Sequence, residues 1–232
     1  MKDKYKDLIN QTFDFPVDEF TLNEDFELTY QNIPLMDIVE QYGTPLKFTY
    51  LPKISENIKK AKTWFNVAMA KVDYKAKYHY CYCTKSSHFS HVLEEVLRND
   101  VHLETSSAFD IHLILSLYEQ GLVQKDKYIV CNGFKLQSYV DNIALIMNEG
   151  FSNVIPVIDN VREIDLLSNA VQGQFKVGMR IAAEEEPKFP FYTSRLGIGY
   201  KDIVPLYKEK IQKIINENNI SLDGVQIIDT RE

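Results

Sequence analysis

Tyr78-His79-Tyr80-Cys81-Tyr82-Cys83-Thr84-Lys85-Ser86-Ser87 is the stretch on which the fold turns. Tyr78–Thr84, rich in tyrosine and cysteine, predicts a strand that ends at Lys85. Outward from it one rhythm repeats. Downstream, His91–Asn99 predicts a helix, Val101-His102-Leu103 a short strand, Ala108–Gln120 a helix ending at Gly121, and Tyr128–Cys131 a strand. Lys135–Glu149 predicts a helix ending at Gly150, Val154–Ile158 a strand, Val161–Val171 a helix and Phe175–Ile181 a strand. Asp202–Asn218 predicts a helix and Gly224–Ile228 a last strand. Strands alternating with longer helices are the mark of βαβ units and a parallel sheet. Nearly continuous apolar strands agree with this, because helices cover such a sheet.

Counted from Tyr78, six strands alternate with helices. An open doubly wound sheet fits, and so does an eight-stranded barrel left unfinished; at 232 residues the chain is a little shorter than the roughly 250 that a βα barrel uses. Upstream, Leu46–Tyr50 alternates like a strand, and Ile54–Ala70 carries Ile54, Ile58, Ala61, Phe65 and Ala68 at helical spacing. Residues 1–43 read as a polar, irregular N-terminal extension anchored by Phe13, Phe15, Phe20 and Phe26. A short helix is expected near Leu35–Tyr42, with Gly43 just past its end, where left-handed geometry costs glycine little.

Composition excludes several classes. With 45% hydrophobic and 25% charged residues the chain is not a disordered one. Lys+Arg number 26 against 33 Asp+Glu, a net charge of −7, which argues against a nucleic-acid partner. No run is long and apolar enough for a membrane span, and Met1–Phe15 lacks the apolar core of a signal peptide. The three cysteines, Cys81, Cys83 and Cys131, are no disulfide framework, so a cytoplasmic protein is expected.

The residue with chemistry at the end of the first strand is Lys85. Alternation puts Lys85, Cys83 and Cys81 on one face, and in a barrel Lys85 would stand at the rim where active sites lie. Partial desolvation there would favour a neutral amine able to attack a carbonyl; an exposed strand-end lysine is the plainer reading. His88 and His91 are spaced to share a side but have no suitably spaced third ligand, so no metal is expected. Cys81-x-Cys83 reads as core packing. Glu184-Glu185-Glu186 follows the strand ending at Ile181; it reads as a solvated turn, although an acidic rim would attract a cationic side chain.

Six landmarks follow one another from about Tyr42 to Tyr200: Tyr42-Gly43-Thr44-Pro45-Leu46; the strand ending at Lys85; Leu103-Glu104-Thr105-Ser106-Ser107-Ala108-Phe109-Asp110; Ile129-Val130-Cys131-Asn132-Gly133-Phe134-Lys135; Val177-Gly178-Met179-Arg180-Ile181; and Ser194-Arg195-Leu196-Gly197-Ile198. In this order they resemble the pyridoxal-phosphate-dependent basic amino-acid decarboxylases with an alanine-racemase-like barrel, the group acting on ornithine, diaminopimelate, lysine or arginine. The Cys131–Lys135 segment is similar to the arginine decarboxylase branch. The resemblance implies decarboxylation of a basic amino acid, arginine first, with pyridoxal 5′-phosphate as cofactor and a small-molecule amino acid as substrate. It implies that Lys85 forms the internal aldimine, that Arg180 lies near the cofactor and orients it through charged hydrogen bonds, and that Glu104 lies near Lys85. Without the resemblance, Arg180 pairing with Glu184 and Glu104 capping the helix near Ser107 are the alternatives.

The departures from the family pattern are specific. No Gly-Gly-Gly stretch is present to hold the cofactor phosphate, and Gly224-Val225-Gln226-Ile227-Ile228 has no ring-stacking histidine. The expectation is therefore the N-terminal portion of such an enzyme: residues 1–43 an extension, 44–232 a partial cofactor-binding (β/α) barrel with about six of eight strands, and the family's C-terminal β domain absent. Alone it would be a weak enzyme, with a homodimer partner or a C-terminal half to complete it. A non-catalytic single-barrel cofactor carrier, or a fragment needing a second chain, is the competing expectation.

Overall fold

The computed structural model describes residues 19–171, 175–182, 197–212 and 227–228. Contacts divide the chain into two units, residues 1–50 and 51–232. In the first, β1 (Phe20–Leu22), β2 (Leu28–Tyr30) and β3 (Ile33–Pro34) form an antiparallel sheet in that order. These strands replace part of the irregular extension expected; at two or three residues each, they are too short to show alternation. The helix α1 (Leu35–Tyr42) lies where expected and ends at Gly43, with φ 79°. Leu46–Tyr50 forms no strand. Its apolar alternation serves packing instead: Phe48 and Tyr50 set their rings edge-on to Tyr30, at 5.6 and 5.4 Å between centroids.

The second unit begins with α2 (Pro52–Lys71), which has proline in its first turn, where no N–H partner is lost. Then follow β4 (Cys81–Cys83), α3 (Ser90–Leu97), β5 (His102–Thr105), α4 (Ala108–Glu119), β6 (Ile129–Cys131), α5 (Gln137–Asn148), β7 (Val154–Ile158), α6 (Val161–Ala170) and β8 (Gly178–Ala182). Last come β9 (Ile198–Gly199), α7 (Tyr200–Leu206), a π-helical turn (Tyr207–Ile211) and β10 (Ile227–Ile228). The sheet order is β10-β8-β7-β6-β5-β4, every pairing parallel, with β9 also parallel to β8. The six strands read from sequence are thus the six of this path, and the whole is a partial α/β barrel. β9 escaped the reading because two residues carry no period. The long helix expected from Asp202 is α7 plus the π turn: Pro205 has no N–H to give to the ladder, which widens directly after it. Residues 213–218 of that expectation lie outside the described residues.

Helices cover one face of the sheet. Leu103, Ile129, Cys131, Val154, Ile158 and Met179 enter one buried cluster with Ile111 and Ile114 of α4, Ile143 of α5 and Leu167 of α6. Side chains alternate along strands, so the intervening residues face inward. These are Cys81 and Cys83, His102 and Glu104, Val130, Ile155 and Val157, then Gly178 and Arg180. Register confirms the rows: Cys83 opposes Glu104, Glu104 opposes Val130, Val130 opposes Ile155, and Val157 opposes Gly178. A Cβ on Gly178 would lie 3.1 Å from Val157 Cγ2, which puts both on the same face.

Candidate active site

The inward face is apolar in its middle and polar at the carboxyl ends of the strands. Lys85 lies in the turn after β4 and is exposed, so the desolvation expected for it is not found. Cys83, two residues before, is half-buried. Its thiol donates to Glu104 Oε1 at 3.6 Å, and Asn132 Nδ2 donates to the same oxygen at 3.2 Å. Burial pushes the Cys83 thiol up, Glu104 pushes it further, and Lys85 pulls it down. The thiol thus lies within reach of both charges. Cys81 is also half-buried on the inward face rather than in either core cluster, and burial pushes its thiol up to about 11.

Glu104 does not cap α4. That work falls to Asp110, whose Oδ2 accepts the N–H groups of Ser106 and Ser107 at 2.8 and 3.0 Å. Glu104 therefore keeps its carboxylate on the inward face. Asn132 is placed by the turn after β6: its Oδ1 accepts the Gly133 N–H at 2.9 Å, and its own N–H donates to Thr105 O at 2.8 Å. It lies in a segment quoted for family resemblance, but no residue pattern singled it out.

The other polar group is at the ends of β6, β7 and β8. Arg180 Nη1 lies 3.8 Å from Asp159 Oδ1, and Asp159 follows directly on β7. Arg180 thus pairs with Asp159; Glu184 lies outside the described residues, as do Glu185, Glu186, Ser194, Arg195 and Leu196. Lys135 and Glu163 are fully buried beside them. Lys135 Nζ donates to Gly133 O at 2.8 Å, to Val157 O, and to Glu163 Oε2 at 3.5 Å. Burial holds Lys135 below the usual lysine range, opposed by Glu163 and Asp159. Burial likewise raises Asp159 above the usual carboxylate range, opposed by Lys135 and Arg180. A cavity of about 640 Å³ opens here between Phe134–Gln137 and Asp159–Glu163. Sequence reasoning missed Asp159, Lys135 and Glu163 as a group, because a buried charge cluster drawn from two loops and the first turn of α6 leaves no periodic trace.

The class of fold is settled by likeness to solved structures. A diaminopimelate decarboxylase from M. jannaschii, solved with L-lysine, superposes with a TM-score of 0.69 at 16% identity, over 90% of this chain and 47% of that one. The biosynthetic arginine decarboxylase of Campylobacter jejuni superposes at 0.63 with 16% identity, over 94% of this chain and 35% of that one. The lysine decarboxylase of Selenomonas ruminantium does so at 0.61 with 17% identity, over 89% and 46%. The fold is that of the barrel decarboxylases of basic amino acids, present in part. In sequence, the chain is similar to biosynthetic arginine decarboxylases: 24% identity over 147 residues to one of Synechocystis, and 24% over 146 residues to that of Bacteroides thetaiotaomicron. These matches take in 58% and 60% of this chain but 22% of either relative, so the chain spans about a fifth of their length. No family model matches. Among the described residues no helix is long and apolar enough to cross a membrane.

The fold family implies pyridoxal phosphate, and the inward face tests it. An exposed primary amine at a strand end, a carboxylate hydrogen-bonded to an amide beside it, and a guanidinium on the same face can hold an aldehyde and an anionic ring oxygen. The donor set fits the aldehyde and ring-oxygen side of the group.

Proposed function

We propose that this chain carries the cofactor-holding part of a pyridoxal-phosphate-dependent decarboxylase of basic amino acids, with arginine as the substrate. The observation behind this reading is the arrangement of Lys85, Glu104, Asn132 and Arg180 at the carboxyl ends of parallel strands, in a fold like that of the barrel decarboxylases. Bound pyridoxal phosphate supplies the electron sink that makes loss of an α-carboxylate accessible. The chain's own residues do the rest. Lys85 offers the amine that anchors the cofactor. Glu104, held by Asn132 and Cys83, keeps negative charge next to that turn. Arg180 offers N–H donors to an anionic oxygen and so orients what Lys85 has anchored. The sequence segment Cys131-Asn132-Gly133-Phe134-Lys135 and the arginine decarboxylase relatives support arginine over the other basic amino acids.

The test is reduction with borohydride in the presence of pyridoxal phosphate, followed by peptide mapping. Selective modification of Lys85, lost in Lys85→Ala, is the expected result. Carbon dioxide release is then measured from arginine, ornithine, lysine and diaminopimelate. Modification spread over surface lysines overturns the reading. Selective modification without release from any substrate points to the cofactor carrier, or to a fragment awaiting a second chain.

A further inference from the structure

Asp159 and Glu163 are two buried carboxylates four residues apart, and their surroundings differ. Glu163 accepts from Lys135 N at 2.9 Å, Asp159 N at 2.9 Å, Asn160 Nδ2 at 2.9 Å and Lys135 Nζ at 3.5 Å. It is a structural clamp that ties the β6 and β7 loops together. Asp159, with a side chain 1% exposed, accepts no hydrogen bond at either oxygen among the described residues. Leaving buried carboxylate oxygens without donors is costly, and such a group persists where something other than stability keeps it. Lys135 acts on it by charge alone and gives it no hydrogen bond, because its three N–H donors already serve Gly133 O, Val157 O and Glu163. Among the described residues the one ion pair of Asp159 is with Arg180, with Nη1 at 3.8 Å from Oδ1, beyond hydrogen-bond range but close enough for charge attraction.

We propose that Asp159 is the positioning residue of Arg180: its carboxylate aims the guanidinium across the inward face and leaves the remaining N–H donors for an anionic oxygen of the ligand. This rests on the reading of Arg180 given above. Fixing the guanidinium in advance reduces the ordering cost on binding, so Asp159 acts on affinity through Arg180 without touching the ligand.

The experiment is a double-mutant cycle on the full 232-residue chain with Asp159→Asn, Arg180→Gln and the pair, read in two ways. The first readout is the affinity for pyridoxal phosphate itself. Asp159→Asn is expected to weaken it about tenfold when Arg180 is present and less than twofold when it is replaced, with Asp159→Glu recovering part of the loss. Equal losses in both backgrounds overturn the proposal and make Asp159 a structural residue. The second readout is the urea midpoint without ligand. Asp159→Asn is expected to raise it more in the Arg180→Gln background, where the carboxylate has lost its counter-charge; equal shifts overturn the pairing. A wild-type chain that binds no pyridoxal phosphate overturns the proposed function, while the urea cycle still judges the Asp159–Arg180 pair. If Asp159→Asn yields no folded protein, carbon-13 NMR of labelled aspartate decides: replacing Arg180 by Gln should move the Asp159 titration upward by about one pH unit, and an unmoved titration overturns the pairing.

Discussion

The Cys83 thiol feels both a cation and an anion, so it reports on both. Glu104 raises its pKa and Lys85 lowers it, on top of the larger effect of burial. The thiolate is the reactive form, so reactivity at fixed pH follows these two charges. Glu104→Gln should make Cys83 react about threefold faster with iodoacetamide near pH 8, and Lys85→Met should slow it by a similar factor. Peptide mapping separates Cys83 from Cys81, and Cys131 is fully buried. Changes of the same sign in both variants would mean that the rim residues do not share the field that this geometry requires. The experiment needs no cofactor, so it tests the site's construction independently of its function.

At the scale of elements, the βα units were legible because parallel strands covered by helices are nearly continuous apolar runs. Val154–Ile158 coincides with β7 from end to end, and all five of its residues are buried. The short antiparallel strands β1–β3 and the two-residue β9 were not legible, and Leu46–Tyr50 misled because aromatic packing on Tyr30 mimics strand alternation. The rim residues Lys85, Glu104 and Arg180 stood at readable strand ends; the partners that place them, Asn132 and Asp159, are loop residues whose roles depend on neighbours far off in sequence. The turn at Gly133 shows how such a partner is held. Gly133 has φ 80°, and a Cβ there would lie 2.9 Å from Ser106 O. Gly133→Ala should cost roughly 2–4 kcal/mol in urea unfolding, since strain and clash add, and should loosen the Asn132–Glu104 contact. Gly121, with φ 76° and nothing within 4 Å of such a Cβ, is the comparison, and Gly121→Ala should cost only about 1 kcal/mol. Equal costs would remove Ser106 from the argument.

On the scale of the whole molecule, the two ends of the sheet bend the pH dependence of stability in opposite senses. At the amino end, His102 Nδ1 accepts the Tyr128 N–H at 3.1 Å, so its neutral form carries the proton on Nε2, 2.9 Å from His79 Nδ1. Burial first, then the positive potential of His79, Lys127 and Lys62 against the opposing charge of Asp100, holds His102 down to about 4 from its ordinary 6.5. As pH falls from 6.5 toward 4 the unfolded chain takes up a proton that the folded chain refuses, so stability is lost over that window. His102→Gln should flatten this acid limb. At the carboxyl end, Asp159 is raised, so above the ordinary value of 3.8 the folded chain keeps a proton that the unfolded chain has released. Stability therefore falls as pH rises through the Asp159 titration, and the deficit persists at neutral pH. Asp159→Asn, which keeps the shape without the charge, should raise stability at pH 7 by about 1 kcal/mol and have little effect once the pH is low enough to protonate the native carboxyl. Urea midpoints from pH 4 to pH 8 on both variants check the two limbs separately. An Asn variant less stable than the native chain at pH 7 would show that Asp159 contributes more to Lys135 and Arg180 than its own burial costs. The opposite result would give a carboxylate kept at the rim against its cost in stability, as a residue retained for binding requires.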